Sequence, residues 1–523
     1  MADALGLWQI ADTHPDNLAV VSPDRRKTTY GELAAMANRY THGLRSLGMT
    51  TEDTVAVLLP NGVELLALYF AALQSGLYFV PVNWHLVGPE VAYIVGDSEA
   101  KVFVAHERFG DTARQAADEV GLPEQSRFAV GDSGGSGGIA GFRALDELAE
   151  ALPDTLPEDR TAGAPMQYTS GTTGKPKGVR RPLTGAAPES VAERTSLFFS
   201  LFGMQPFDDN VHICGSPLYH TAVLVWASTS VQVGHPAVLM DRWDPKEMLE
   251  LIERHRVTQS HMVPTQFHRL LALPEDERTQ FDVSSLRYMV HGAAPCPKET
   301  KRAMIDWWGP VVIDYYAATE GGGALITSEE WLRKPGSVGR AWPGSEIRVF
   351  DDDAHELPAG EVGTVYMKMA ASDFTYKGDD EKTRKNRIDD FFTVGDVGYL
   401  DDDGYLFLCD RKSDMIISGG VNVYPAEIEG ELIAHPKVDD VAVFGIPNAD
   451  WGEEIKAVVQ PAPGTRPGDA LTAELLEYAE QRLARFKQPR SIDYVDEMPR
   501  DPNGKLYKRK LRDPYWAGQE TAI

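Results

Sequence analysis

The chain has 523 residues, 43% of them hydrophobic and 25% charged, a composition that fits a globular protein too long for one compact core. Its formal net charge of −27, from 51 basic and 78 acidic side chains, repels nucleic acid and anionic lipid, so neither is expected as a partner. The three cysteines, Cys214, Cys296 and Cys409, are too scattered for a disulfide framework or a thiolate metal site. The N-terminal segment has no secretion-signal pattern and no apolar run is long enough to span a membrane, so a cytoplasmic location is expected.

The first half of the chain alternates strands and helices. Leu33, Met36, Ala37, Tyr40 and Leu44 have helical spacing. "VAVLL" (Val55 to Leu59) reads as a short buried strand. Pro60 and Asn61 form a turn before a helix through "GVELLALYFAALQSG", and "YFVPV" is the next strand. The pattern recurs where "PKEMLELIERH" leads into "TQSHMV", and where "LRYMV" runs through the turn "HGAAP" and a helix to "VVIDYY". Such alternation predicts a large α/β domain with parallel sheets and ligand sites at strand ends. After about Ser337 the texture changes to short strands separated by Asp/Gly turns, which predicts hairpins of a smaller β subdomain. From about Met415 mixed α and β elements return, as in a separate C-terminal domain. The glycine-rich stretch Gly131 to Gly141 reads as a surface loop without assigned function.

Within this frame one stretch stands out, "YTSGTTGKPKG" from Tyr168 to Gly178. It fails the P-loop spacing, because Lys175 is followed by Pro176 and Thr169 stands where that motif needs its first glycine. It still suits phosphate. The glycines let the backbone approach, the hydroxyls of Thr169, Ser170, Thr172 and Thr173 add donors, and Lys175 and Lys177 bring charge.

That stretch and six further motifs in order make the chain resemble the adenylate-forming enzymes: acyl- and aryl-CoA synthetases, firefly luciferase and peptide-synthetase adenylation domains. The further motifs are "HGAAP" (His291 to Pro295), "YYAATEG" (Tyr315 to Gly321), "VGDVGYLDDDGY", "DRKSDMIISGGVNVYPAEIE", "LARFKQP" and "PRDPNGKLYKRKL". The resemblance runs from Thr28 to the C-terminal lysines. It implies that Thr169, Ser170, Gly171, Thr172, Thr173, Gly174, Lys175 and Lys177 grip the ATP phosphates. Gly292, Ala293 and Ala294 would lie along the adenine with Tyr315, Tyr316 and Ala317, Tyr316 stacking on the ring. Ala317 replaces the family's usual glycine and adds a methyl there. Thr319 would reach the α-phosphate, and Glu320 with Thr169 would hold Mg2+. Asp396 would accept from the ribose hydroxyls, with Arg411 a ribose or phosphate contact. Lys505 would bridge the attacking carboxylate and the α-phosphate in the first half-reaction only, whereas Lys508 and Lys510 are read as solvated members of the same basic run.

The second half-reaction implied by the resemblance needs the C-terminal domain to rotate, with Ser413 at the hinge where the family has Asp or Lys. Gly419 and Gly420 would then line the pantetheine channel, and Trp451 and Phe486 match positions that contact the CoA nucleotide. Gln488 replaces a basic residue that can serve the CoA phosphates. His220 in "PLYHTA" resembles the gate between acyl tunnel and ATP. Thr221 stands where amino-acid-activating relatives carry Asp, which argues against an α-amino acid substrate. Trp226 and the "GGGA" run (Gly321 to Ala324) suggest an apolar pocket.

The expectation is therefore an α/β N-terminal domain of βαβ subdomains with a small β subdomain over residues 1–411, and a mobile α+β domain over 412–523. The activity expected is an AMP-forming acid–CoA ligase using ATP, Mg2+ and coenzyme A, acting on a fatty or other hydrophobic acid. Its alternative is transfer to a carrier protein or amine. The oligomeric state is open, with a homodimer allowed.

Overall fold

The computed structural model describes residues 5–131, 138–169, 176–318, 321–369, 375–376, 384, 386–418, 421–448, 451–500 and 506–517. The chain divides into two compact units, one of residues 1–261, 275–289 and 372–385 and the other of residues 262–274, 290–371 and 386–523.

The first unit holds a six-stranded parallel sheet in the order Arg143–Ala144, Arg127–Val130, Ala100–His106, Thr54–Leu58, Tyr78–Pro81, Ala164–Pro165. All five residues of Thr54–Leu58 are buried, the pattern of a strand covered on both faces, which is why it reads in sequence as an unbroken apolar run. Its neighbours follow from the crossovers through helices Val63–Leu73 and Gly88–Asp97, so the sheet is doubly wound with its switch point between Thr54–Leu58 and Ala100–His106. Helix Tyr30–Ser46 begins at a capping box, in which Glu32 N–H donates to Thr29 Oγ1 and Thr29 N–H donates to Glu32 Oε2. Its buried stripe of Leu33, Ala37, Tyr40 and Leu44 closes one face of the core. In a second parallel array His212–Cys214 lies between Ala237–Leu239 and Gln259–Met262, with Leu18–Val21 beyond Ala237–Leu239 and Lys27–Thr29 antiparallel at the edge.

The second unit carries Val312–Ala318 antiparallel to Gly321–Ile326, and an antiparallel sheet built on Ser345–Phe350, Gly363–Met369, Asp396–Leu400 and Leu406–Arg411. The expected Asp/Gly turns are present. Asp401 accepts from the backbone N–H of Asp403 and Tyr405 and so closes the hairpin that leads to Arg411. The C-terminal segment forms its own sheet, in which Val438–Asn448 pairs with Gly452–Pro461 and Ser491–Tyr494 adds in parallel. Helices Pro425–Leu432 and Asp469–Glu480 bury Ile428, Leu432, Leu471 and Leu475 against it. No helix among the described residues is long and apolar enough to cross a membrane.

Candidate active site

In the second unit the hairpin of Asp396–Leu400 with Leu406–Arg411 places Asp396 directly across from Arg411. Arg411 Nε stands 3.4 Å from Asp396 Oδ1, and the Tyr316 hydroxyl donates to Asp396 Oδ2 at 2.6 Å. A buried carboxylate is thus oriented by one cation and one phenol, with its remaining lone pairs able to accept from a diol. Tyr316 and Tyr315 alternate across their strand. The Tyr315 ring stacks on Trp342 with centroids 6.0 Å apart, and burial pushes its hydroxyl up to about 12.

The turn after Tyr288–His291 is shaped by close approach. A Cβ on Gly292 would sit 2.6 Å from the Tyr315 carbonyl oxygen, and Ala293 holds φ at +66°, a left-handed conformation uncommon for alanine. Gly323 is small for a packing reason, since a Cβ there would meet the Trp342 ring at 2.4 Å. The small residues of "GGGA" therefore include one that admits a tryptophan. Behind the turn lies a charged set that sequence reasoning missed. The buried Lys301 ammonium donates to Asp314 Oδ2 at 3.0 Å, and His291 Nε2 is 3.6 Å from the same oxygen. It ties helix Lys298–Trp308 to the strand that carries Tyr316. Only a distant pairing of Lys with Asp, with no local motif, could have signalled it. Thr319 and Glu320 lie outside the described residues. Among the described residues the group spaced to hold a cation is Asp351, Asp353 and His355, but Asp351 accepts from the N–H of Asp353 and of His355, which is turn closure.

In the first unit Gln167–Thr169 and Lys177–Arg180 pair antiparallel, with Thr169 opposite Lys177 at the two ends of the glycine-rich stretch. Its middle, Ser170 to Lys175, and the Thr169 side chain lie outside the described residues. Helix Gly88–Asp97 anchors the base: the Tyr168 hydroxyl donates to Asp97 Oδ2 at 2.7 Å, and the Tyr93 hydroxyl donates to the Pro176 carbonyl at 3.1 Å. Arg180 turns to Glu52 and the face of Tyr78, so it braces the hairpin.

His220 is the N-cap residue of helix Thr221–Gln232, its ring against Tyr219 at 4.3 Å. Tyr219 meets Trp84 edge-on, and Trp84 stacks on Phe109 at 5.4 Å. The loop leading to His220 is held by Asn61. The buried amide donates to the carbonyls of Ser216 at 3.0 Å and Met240 at 2.9 Å, and its oxygen accepts from Leu218 N–H at 2.8 Å. Asn61 looks like a turn residue in sequence, and only the fold brings it to this loop. Further along the helix Trp226 is enclosed by Phe198, Phe199 and Phe202 at 4.9 to 5.4 Å, an aromatic wall.

The C-terminal segment corrects one expectation. Lys508 is not a solvated member of the basic run: its side chain is 15% exposed and pairs with Glu429 at 2.8 Å. Glu429 also accepts from Val443 N–H, and Asp410 accepts from Ala426 N–H at the start of helix Pro425–Leu432. Burial raises both carboxyls, and the neighbouring Lys508 charge opposes that rise. Sequence reasoning missed this because burial is decided by the strand Val438–Asn448 that covers it. Lys505, Gly419 and Gly420 lie outside the described residues. Among the described residues Ser413 Oγ reaches only Asp414 Oδ1, at 3.4 Å. Trp451 and Phe486 are 56% and 48% exposed, and the Gln488 amide turns inward to the Leu483 carbonyl. Burial pushes the Cys214 and Cys296 thiols to about 12 and Cys409 to about 11, so none is a thiolate nucleophile.

Comparison with known proteins adds to this geometry. Residues 7–372 match the model of the AMP-binding enzyme family and residues 427–505 that of the AMP-binding enzyme C-terminal domain. The chain is 35% identical to the long-chain-fatty-acid–CoA ligase FadD13 of Mycobacterium tuberculosis, covering 98% of each chain. It is 32% identical to the fatty acid–[acyl-carrier-protein] ligase ScoC of Streptomyces coeruleorubidus, over 98% of this chain and 96% of that one. Among solved structures it superposes on ATP-bound MatB from Rhodopseudomonas palustris with a TM-score of 0.82 at 30% identity, covering 98% of this chain and 99% of that chain.

Proposed function

The chain belongs to the AMP-binding enzyme family, and from that premise we infer the course of its reaction as an AMP-forming acid–CoA ligase. It activates a carboxylic acid with ATP to an acyl adenylate and then transfers the acyl group to CoA, releasing AMP and pyrophosphate. The first step brings two anions together, so the protein supplies positioning and positive charge, with no protein nucleophile needed. The hairpin bearing Ser170 to Lys175 and Lys177 grips the phosphates. Asp396 binds the ribose hydroxyls with Arg411 beside it, and Gly292 to Ala294 with Tyr316 and Ala317 frame the adenine, Tyr315 packing behind them. Thr319 reaches the α-phosphate. Lys505 stabilises the charge that develops there, then leaves as the segment from Lys412 onward rotates about Ser413. The hard oxygens of Glu320 and Thr169 suit Mg2+, which would neutralise phosphate charge when bound. In the second step Gly419 and Gly420 line the pantetheine path, and the exposed rings of Trp451 and Phe486 take the CoA nucleotide.

The observation that carries the nucleotide half of this reading is the buried Asp396 carboxylate held between Tyr316 and Arg411. For the acid, the wall of Phe198, Phe199, Phe202 and Trp226 beyond His220 favours a fatty or other hydrophobic acid, the class named for FadD13. One observation favours a second acceptor. Gln488 is turned inward where a basic side chain could hold a CoA phosphate, and ScoC, of similar identity, is named for transfer to a carrier protein. Mass spectrometry of the protein with ATP, Mg2+ and a panel of acids, with and without CoA, tests the reading. AMP together with acyl-CoA is the expected result. Acyl adenylate that waits for a carrier protein would move the acceptor, and ADP as product would overturn the reading.

A further inference from the structure

Deep in the first unit, beside the aromatic wall, lies a group of polar atoms whose hydrogen-bonding capacity is unmet. His212 and Gln259 face each other on adjacent parallel strands and are 1% and 0% exposed. Among the described residues neither ring nitrogen of His212 has a hydrogen-bond partner, nor has Gln259 Oε1. Thr229, 0% exposed, has an unpartnered Oγ1. Leaving such groups dry and unpaired is costly, and three of them in one unit call for a cause.

Helix and strand geometry puts them at one level. Helix Thr221–Gln232 is the crossover between the neighbouring parallel strands His212–Cys214 and Ala237–Leu239, so it runs back against their direction over the face it covers. Trp226 sets the level, its ring 5.5 Å from that of His261. Three residues further along the helix, about 4.5 Å, comes Thr229. Two residues back along the strand, about 6.6 Å and on the same face as His261, comes Gln259 with His212 beside it. Helix and strands thus bring the three side chains to the same height.

Their chemistry is specific. His235 Nε2 donates to the Gln205 carbonyl at 2.9 Å, which leaves Nδ1 to accept from Gln259 Nε2 at 3.1 Å. That contact orients the Gln259 amide so that its oxygen is the unmatched end. The oxygen needs a donor, while Thr229 and the neutral His212 imidazole each offer a donor as well as an acceptor. A hydroxyl group, which donates and accepts at once, can donate to Gln259 Oε1 and accept from the Thr229 hydroxyl and the His212 N–H. A ketone, which only accepts, leaves Gln259 Oε1 unpaired.

We propose that the acid activated by this protein carries a hydroxyl group remote from its carboxylate, and that His212, Thr229 and Gln259 bind it. This rests on the acid–CoA ligase reading with His220 at the carboxylate end of the acyl site. Thr229 lies nine positions beyond His220, roughly 13 Å along the helix axis, so short hydroxy acids do not reach and the hydroxyl sits far down a long or alicyclic skeleton.

The test compares AMP release from unsubstituted, ω-hydroxy and ω-oxo acids of increasing chain length. The expected result is that at one length the ω-hydroxy acid exceeds both analogues in kcat/KM by about ten- to a hundredfold. His212→Phe and the nearly isosteric Thr229→Val should each shrink that ratio, whereas a purely structural role would lower all three acids together. An unsubstituted acid used as well as its hydroxy analogue at every length overturns the hydroxyl site and leaves the ligase reading intact. Failure to adenylate any acid removes both.

Discussion

Replacing Asn61 with alanine tests whether a residue remote in sequence from the family motifs holds His220, the proposed acyl gate, in place. The buried amide makes three hydrogen bonds to the strand-end loops that carry Ser216, Leu218 and Met240, and His220 follows two residues after Leu218. Asn61→Ala strands the Leu218 N–H and the Met240 carbonyl in a dry environment. The Ser216 carbonyl still accepts from Cys214 Sγ at 3.4 Å. At about 1–3 kcal/mol for each of the two orphaned groups, the loss is about 2–6 kcal/mol, part of which the loop recovers by shifting. That shift moves His220, and a displacement of about 1 Å at a positioning group costs up to about a hundredfold in rate. The assay pairs a thermal scan with steady-state kinetics in each substrate. The expected outcome is a lower unfolding temperature together with a raised KM for the acid, while the KM for ATP changes little. Asn61→Asp keeps the acceptor for Leu218 N–H but turns a buried carboxylate oxygen toward two carbonyls, and should lose at least as much stability as alanine. An alanine variant with unchanged unfolding temperature and unchanged acid selectivity would refute the staple.

Three further outcomes are expected. Lys505→Ala should abolish adenylate formation yet still convert supplied acyl adenylate to thioester, and equal loss of both half-reactions would remove its one-step role. Gly420→Leu should do the reverse, blocking thioester formation while pyrophosphate exchange survives; persistence of both steps would misplace the pantetheine channel. Stability should fall on mild acidification. Burial lowers His212 to about 3 and both His235 and His261 to about 4, against about 6.5 in the unfolded chain, so their contribution is complete above about pH 6.5 and is lost as pH falls toward 4. At pH 5 each accounts for about 2 kcal/mol. The unfolding midpoint of His261→Gln should therefore decline less between pH 7 and pH 5 than that of the parent, and parallel curves would contradict the buried-neutral assignment.

What the sequence makes legible here is what is local. An apolar run buried on both faces announces a parallel strand at Thr54–Leu58, a threonine three residues before a glutamate announces the helix at Tyr30, and aspartates before glycine announce the hairpin that sets Asp396 across from Arg411. The motifs that carry the family resemblance are legible for the same reason, since each is written in consecutive residues. Contacts that join distant segments are not. Asn61 reads as a turn residue because its partners lie more than 150 positions away, and Lys301 with Asp314 reads as two ordinary charges on a helix and a strand. The basic run "KLYKRKLR" makes the division plain. Lys505 and Lys508 are three positions apart and identical in type, yet Lys508 is enclosed against Glu429 beneath Val438–Asn448. A buried lysine deprived of its carboxylate costs several kcal/mol, so Lys508 is fixed to the C-terminal fold and cannot serve a transient phosphate. Lys508 is thus spent on structure, and the role proposed for Lys505 rests on the resemblance of its motif.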